Sequence, residues 1–177
     1  SLILLPCYKT LMRKRDEILP SIHNDDLNCT VTLSEMVENT TLRTLEFLDE
    51  SKPEKLINLK SNKLKVKFKF GGDGSGSHSM FSNKQTMLDG KSSTSIYNVG
   101  CVLLRIETIE NELIYENEKP NSALMCRNIS LSYQSESHQA IVDTFSDLQE
   151  QADNLLPIQM KIGEKTFEIQ NIQQLNI

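Results

Sequence analysis

The chain has 177 residues, a net charge of −5 at neutral pH and only 6% aromatic residues, with no Trp. Its length allows one domain with a core, or one domain plus an appendage. Its charge excludes nucleic-acid binding through overall positive potential, although basic residues cluster at Lys9 to Arg15 and at Lys52 to Lys69. No run reaches the roughly 18 apolar residues of a membrane-spanning helix, so we expect no membrane partner.

The four cysteines stand singly, without the C-x-x-C spacing of a zinc or redox site, which favours reduced core thiols. The chain begins with Ser1 and stops within a pattern, so we interpret it as a fragment of a longer protein.

Residues 1–60 predict a helical appendage. Cys7 to Leu19 is typical of a short helix, and its basic triplet Arg13-Lys14-Arg15 either contacts DNA phosphates or, more commonly, forms a solvated face. Thr32-Leu33-Ser34-Glu35 fits a capping box that opens a second helix, which continues to about Glu50. The appendage could dock on DNA or a partner subunit, or pack against the following domain.

The central element is predicted at Lys63 to Gly76, KLKVKFKFGGDGSG. Four apolar residues alternate with four lysines, which predicts a strand with one apolar and one charged face. We expect Gly71-Gly72 to end this strand. Asp73 then follows among small residues, either as part of a turn, the commoner role of such a sequence, or as a carboxylate suited to a divalent metal ion and a phosphate.

The rest of the chain predicts a loop, a β-meander, a helix and a hairpin, in that order. Ser77 to Asn98 is expected to be a loop, and Val99 to Ile109 and Ala123 to Tyr133 are expected to be strands that complete an antiparallel meander, with LIYE as an extension of the sheet. A helix follows up to Pro157, with Glu136 in its first turn, where a favourable interaction with the helix dipole is a sufficient explanation. Two strands near Ile158 to Ile162 and Lys165 to Ile169 form a hairpin around Gly163-Glu164.

A strand ending in Asp, two more strands and a helix is the opening order of a ribonuclease H-like fold. The spacing of Lys119-Pro120-Asn121-Ser122, Leu124, Cys126 and Glu136-Ser137 resembles the catalytic core of the V(D)J recombinase large subunit family, which includes the Transib transposases. Asp73-Gly74-x-Gly76 and the strand around Arg105 are similar to the same family. The resemblance covers about Lys63 to Ile169.

The resemblance implies that Asp73 and Glu136 are the first two of four metal-binding carboxylates, holding Mg²⁺ or Mn²⁺. The family's third and fourth carboxylates would lie beyond Ile177, so the chain would carry half an active site and be inactive alone. Two departures affect none of the four ligands: Ala123 stands where the family's recombinase has Glu, and Ser77 where it has a second Asp.

The sequence therefore predicts an α/β fold: residues 1–60 as the helical appendage, and residues 61–177 as an incomplete ribonuclease H-like domain with a three-stranded antiparallel meander, a helix and a β-hairpin. The function implied by the resemblance is that of a DNA transposase that nicks DNA and forms hairpin-ended breaks in the nucleus. DNA, a second copy of the chain and a second recombinase subunit are the expected partners. The alternatives are a non-catalytic DNA-binding or assembly protein descended from a transposase, and an unrelated α+β interaction domain.

Overall fold

The computed structural model describes residues 9, 13, 19–25, 28–75, 96–133, 137–155 and 157–176. The strands in these ranges are β1 (His23–Asn24), β2 (Asn28–Thr30), β3 (Lys63–Ser75), β4 (Ile96–Thr108), β5 (Leu113–Glu116), β6 (Arg127–Ser132), β7 (Ile158–Ile162) and β8 (Lys165–Asn176). The helices are α1 (Leu33–Ser51), α2 (Glu54–Ile57), α3 (His138–Asp153) and a 3₁₀ turn at Ala123–Met125. In the predicted first helix, Lys9 and Arg13 are described, and both are helical.

All these strands belong to one sheet, in the order β1-β2-β6-β4-β3-β8-β7, with β5 paired to β4 beyond the end of β6. Every neighbouring pair is antiparallel except β3 and β8, which are parallel. The predicted α/β class is confirmed as a mixed fold with a mostly antiparallel sheet. The meander of β3, β4 and β6 and the hairpin of β7 and β8 are also confirmed.

Three strands point their carboxyl ends toward the same end of the sheet. β3 and β6 are each antiparallel to β4, so they run the same way, and β8 runs parallel to β3. β3, β6 and β8 therefore all run toward the end of the sheet where Asp73 lies. No sequence pattern predicts the parallel pairing, because the packing of the hairpin after α3, and not the pattern of its residues, decides the direction of β8 relative to β3.

The described α-helices pack on one face of the sheet, and no described α-helix packs on the other, which we call the open face. α1 buries a stripe of residues at helical spacing, Leu33, Met36, Val37, Leu45 and Leu48, as the sequence predicted. These residues form one core with the apolar face of β3 (Leu64, Val66, Phe68 and Phe70). α1 therefore packs on the domain, whereas the proposed boundary at residue 60 stays a prediction.

At the start of α1, Thr32 and Glu35 form hydrogen bonds with each other, as the capping-box sequence predicted. The Thr32 hydroxyl accepts a hydrogen bond from the Glu35 backbone N–H at 3.3 Å and donates one to the Glu35 carboxylate at 3.0 Å. The hydroxyl therefore makes both bonds, whereas in the usual capping box the Glu carboxylate bonds the N-cap backbone N–H.

Several predicted boundaries are wrong. β3 does not stop at Gly71-Gly72 but continues to Ser75, because β4 begins at Ile96, inside the predicted loop, and pairs with it throughout. The third strand begins at Arg127 and not at Ala123, since Ser122 caps a 3₁₀ turn. The polar segment before α1 contains the short strands β1 and β2, which extend the sheet edge.

The apolar residues of α3 pack against the core with one exception. Leu148 is buried, and Ile141, Phe145 and Ala152 pack against the core, but Val142 is 42% exposed. Val142 lies one residue, or about 100° of helix rotation, away from Ile141. In the part of the chain that the structure describes, no helix is long and apolar enough to cross a membrane.

Candidate functional site

Asp73 lies on the open face of the sheet, near the carboxyl end of the central strand β3. It is exposed and pairs with Asn98 of β4. Among the described residues, its carboxylate has no hydrogen bond or ion pair. Asp73 therefore belongs to an extended strand and not to a turn, which removes the commoner explanation of this sequence.

The backbone around Asp73 requires small residues for a defined reason. A Cβ atom added to Gly72 would lie 2.5 Å from the hydroxyl oxygen of Tyr97, whose ring is 1% exposed on the helix-covered face. At Gly71, on the open face, an added Cβ would meet nothing within 4 Å. Gly72 thus allows β3 to pass over Tyr97, whereas Gly71 leaves clear space beside Asp73.

Asn98 is a polar neighbour of Asp73 that sequence reasoning missed. Its amide oxygen is enclosed and has no hydrogen-bond partner among the described residues, while its amide nitrogen is 3.5 Å from the side-chain oxygen of Asn128. Directly opposed side chains on antiparallel strands have Cβ atoms about 5 Å apart. The sequence placed Asn98 in a loop, and only the β3–β4 register brings it to Asp73.

Glu136, the second predicted ligand, lies outside the described residues, so its approach to Asp73 stays a prediction. The strand that precedes it is described. Leu131 of β6 pairs with Asn98, which in turn pairs with Asp73. Two strand spacings therefore separate Leu131 and Asp73, a Cα distance of about 10 Å.

The described part of the site fits a divalent cation only in part. A carboxylate and an amide carbonyl are oxygen donors of the kind that Mg²⁺ and Mn²⁺ prefer. Within the described ranges, no group of three or more His, Cys, Asp or Glu side chains could hold a metal ion. Asp73 would thus need ligands from outside the described residues.

Lysines line β3 on the same open face as Asp73. Lys65 lies 3.7 Å from Glu107 and also donates to Asn111, and Lys69 donates to the side-chain oxygen of Asn121 at 3.0 Å. Lys67, between them, has no hydrogen bond or ion pair among the described residues. The strand therefore presents a basic row that ends at the acidic Asp73.

Arg105, which interrupts the apolar run of β4, faces this row. Its guanidinium pairs with Glu116 and, at 3.0 Å, with Glu107. The hydrogen bonds to Glu116, then to Glu107, raise the pKa of Arg105 above its ordinary value. Arg105 therefore stays charged and pairs with both carboxylates in this part of the face, Glu107 and Glu116.

A cavity of about 360 Å³ lies on the other side of the sheet, between α3 and the strands β2 and β6. Two carboxylates line it, but Asp143 accepts a hydrogen bond from Gln139 at 2.6 Å and Asp147 accepts one from Gln151 at 2.7 Å. Gln151 also accepts the Leu33 backbone N–H at 2.9 Å, tying α3 to α1. The contacts of this cavity are those of helix packing.

Comparison of the chain with protein-family models and with curated proteins finds no match to either.

Proposed function

We propose that the chain is the first part of the catalytic domain of a DNA transposase similar to the Transib and V(D)J recombinase family, with a ribonuclease H-like fold. One observation carries the proposal: Asp73 lies on the open face of the central strand, its carboxylate has no hydrogen bond or ion pair among the described residues, and β3, β6 and β8 all run toward its end of the sheet. In this proposal, residues that follow β6 and β8 complete a site with Asp73.

In this proposal Asp73 and Glu136 hold one or two divalent cations together with carboxylates supplied beyond Ile177. When bound, Mg²⁺ or Mn²⁺ would activate a water and then a 3′-hydroxyl for attack on phosphodiesters, first nicking DNA and then forming a hairpin. Gly71 leaves room for a phosphate beside the Asp73 carboxylate. Asn98 stands opposite Asp73 in the β3–β4 register.

The same proposal implies that the parent protein acts in the nucleus on transposon ends or similar DNA sites. Two copies would hold the two DNA ends, with or without a second recombinase subunit.

A non-catalytic DNA-binding or assembly protein is the second candidate. The lysine row on β3 supports it, because phosphate contacts need no metal site. The two candidates differ in whether Asp73 is required for a chemical step.

The deciding experiment uses the full-length parent protein with Mg²⁺ or Mn²⁺ and labelled duplex DNA, and separates nicked and hairpin products on a denaturing gel. We expect Asp73→Asn and Glu136→Gln each to abolish both products while DNA binding persists, because each removes a charged ligand and keeps the side-chain size. Glu164→Gln is the matched control, since Glu164 lies in the β7–β8 turn, at the opposite end of the sheet.

Nicking by Asp73→Asn at the wild-type rate would refute the proposed site. DNA binding without nicking by the intact parent would favour the non-catalytic candidate.

A further inference from the structure

The lysines of β3 form an evenly spaced track on the open face. Lys63, Lys65, Lys67 and Lys69 are separated by two residues each, or about 7 Å along an extended strand. The next two positions on this face are Gly71 and Asp73. We define Lys65, Lys67 and Lys69 as the lysine track.

The charge of the track is neutralised only at its amino end. Glu107 and Glu116 pair with Lys65 and Arg105, as described above. Toward Asp73 the described residues supply no carboxylate partner: Lys67 has no partner, and Lys69 bonds only the neutral amide of Asn121. A net positive surface therefore adjoins the proposed metal site, although the whole chain carries −5.

Lys67 stands directly opposite Arg105 in the β3–β4 register. Like charges in directly opposed positions destabilise a sheet. On its other side, Lys67 pairs with Gln173 of β8, which cannot neutralise it. Glu107 and Glu116 already offset the charge of Arg105, so the charge left for an anion to neutralise is that of Lys67.

Among the described residues, no side chain blocks the route from the track to Asp73. Gly71 is exposed, and an added Cβ would meet no atom within 4 Å. A chain lying along the lysines would thus reach Asp73 without crossing a side chain at Gly71.

We propose that the lysine track binds one phosphodiester strand of DNA and directs it to Asp73. This inference rests on the proposed function, because it treats Asp73 as the point where a phosphate reacts. An evenly charged linear polymer matches the even spacing of the cations, and a carboxylate suited to a phosphate-binding metal ion stands at the end of the track.

The test measures binding of the complete 177-residue chain to a fluorescein-labelled DNA duplex by fluorescence anisotropy. EDTA is present, and salt is varied from 50 to 200 mM. We expect the double variant Lys67→Gln and Lys69→Gln to bind more weakly and to lower the salt slope by about 1.8, since each phosphate contact contributes about 0.9. Between 50 and 200 mM salt, the double variant would then lose about 12-fold less affinity than the wild type loses.

Lys55→Gln is the matched control for the single variant Lys67→Gln. Lys55 is exposed on α2, and each of the two changes removes one positive charge. We expect the control to bind like the wild type. The single variant Lys67→Gln should keep the melting temperature, because Lys67 has no hydrogen bond or ion pair among the described residues that the change would break. Weaker binding with unchanged or greater stability would separate a DNA contact from a folding defect.

A double variant that binds DNA with the wild-type affinity and salt slope would overturn the proposal. So would poly-glutamate that binds as tightly as DNA through the same lysines, since the partner would then be an acidic polypeptide. DNA binding is measured in EDTA and needs no metal ion, so it can be observed even when no nicking occurs. If the parent protein binds DNA through the track but never nicks it, the proposed function is refuted and the track is not. Asp73-dependent nicking at the wild-type rate by the double variant would refute the track alone.

Discussion

Gly71 and Gly72 are adjacent and chemically identical, yet their surroundings give them different roles. Gly72 faces the buried ring of Tyr97, and Gly71 faces open space. Replacing Gly72 by Ala should therefore force β3 or the enclosed ring to move, at a cost of about 1–3 kcal/mol. Gly71→Ala, with no contact to disturb, should change stability by less than about 0.5 kcal/mol.

Urea unfolding of the two alanine variants measures this difference. Equal stabilities would show that Tyr97 does not restrict the strand beside Asp73.

The cysteines also differ at the residue scale. Burial, and then the neighbouring Cys126, raise the pKa of the Cys101 thiol to about 12, whereas Cys126 itself is exposed. At pH 8, iodoacetamide should label Cys126 far faster than Cys101, as mapped by mass spectrometry. Comparable labelling of both thiols under native conditions would contradict the buried position of Cys101.

The raised pKa of Cys101 also predicts a pH dependence of stability. The unfolded thiol ionises near pH 9 and the folded one near pH 12, so the unfolded chain binds fewer protons between these values. The contribution of the Cys101 thiol to the free energy of unfolding is fully present below about pH 9. It is lost as pH rises toward 12, by at most about 1.4 kcal/mol per pH unit. Cys101→Val, measured by urea unfolding across this range, should show a shallower decline than the wild type.

At the scale of elements, the edge of β4 changes partners between β6 and β5. Asn117 fills the gap: its backbone N–H bonds the Leu104 carbonyl at 2.8 Å, its side-chain amide bonds the Leu103 carbonyl at 2.9 Å, and its side-chain oxygen accepts the Lys119 N–H at 2.9 Å. Asn117 is 8% exposed, so water cannot readily replace these bonds.

Asn117→Ala should cost about 1–3 kcal/mol, because it leaves a buried carbonyl without its side-chain partner. Asn121→Ala, at an exposed position in the same connection, should cost less than about 0.5 kcal/mol. Denaturant unfolding distinguishes the two, and a neutral Asn117→Ala would show that the two strands hold β4 without this bridge.

At the scale of the molecule, α1 and β3 share one core, which makes the predicted division at residue 60 testable. Leu45 is fully buried in that core, and Phe47, two residues away on α1, is 65% exposed. Leu45→Ala should destabilise the protein by about 2–5 kcal/mol and speed amide hydrogen exchange in β3 as well as in α1. Phe47→Ala should leave both nearly unchanged.

Faster exchange confined to α1 in the Leu45→Ala variant would instead support residues 1–60 as a separable appendage.

Local pattern was sufficient for most elements because their signals lie within a few residues. The alternation in Lys63 to Phe70 predicted β3 and its two faces, the capping residues predicted the start of α1, and Gly163-Glu164 predicted the hairpin turn. The pattern failed at Gly71 to Ser75, where the chain stays extended because β4 pairs with it. Small residues there carry no periodic signal of their own, so only the partner strand decides the conformation.

The sequence by itself determined that an acidic residue follows the alternating lysines of a strand, and which residue types could bind metal and phosphate. Only the tertiary structure decided that Asp73 stands opposite Asn98, that Lys67 opposes Arg105, and that β8 lies parallel to β3. Register and strand order depend on contacts between residues far apart in the chain, whereas alternation depends on neighbours. The residue types of the candidate site were therefore readable from the sequence, but its neighbours and its position at one end of the sheet were not.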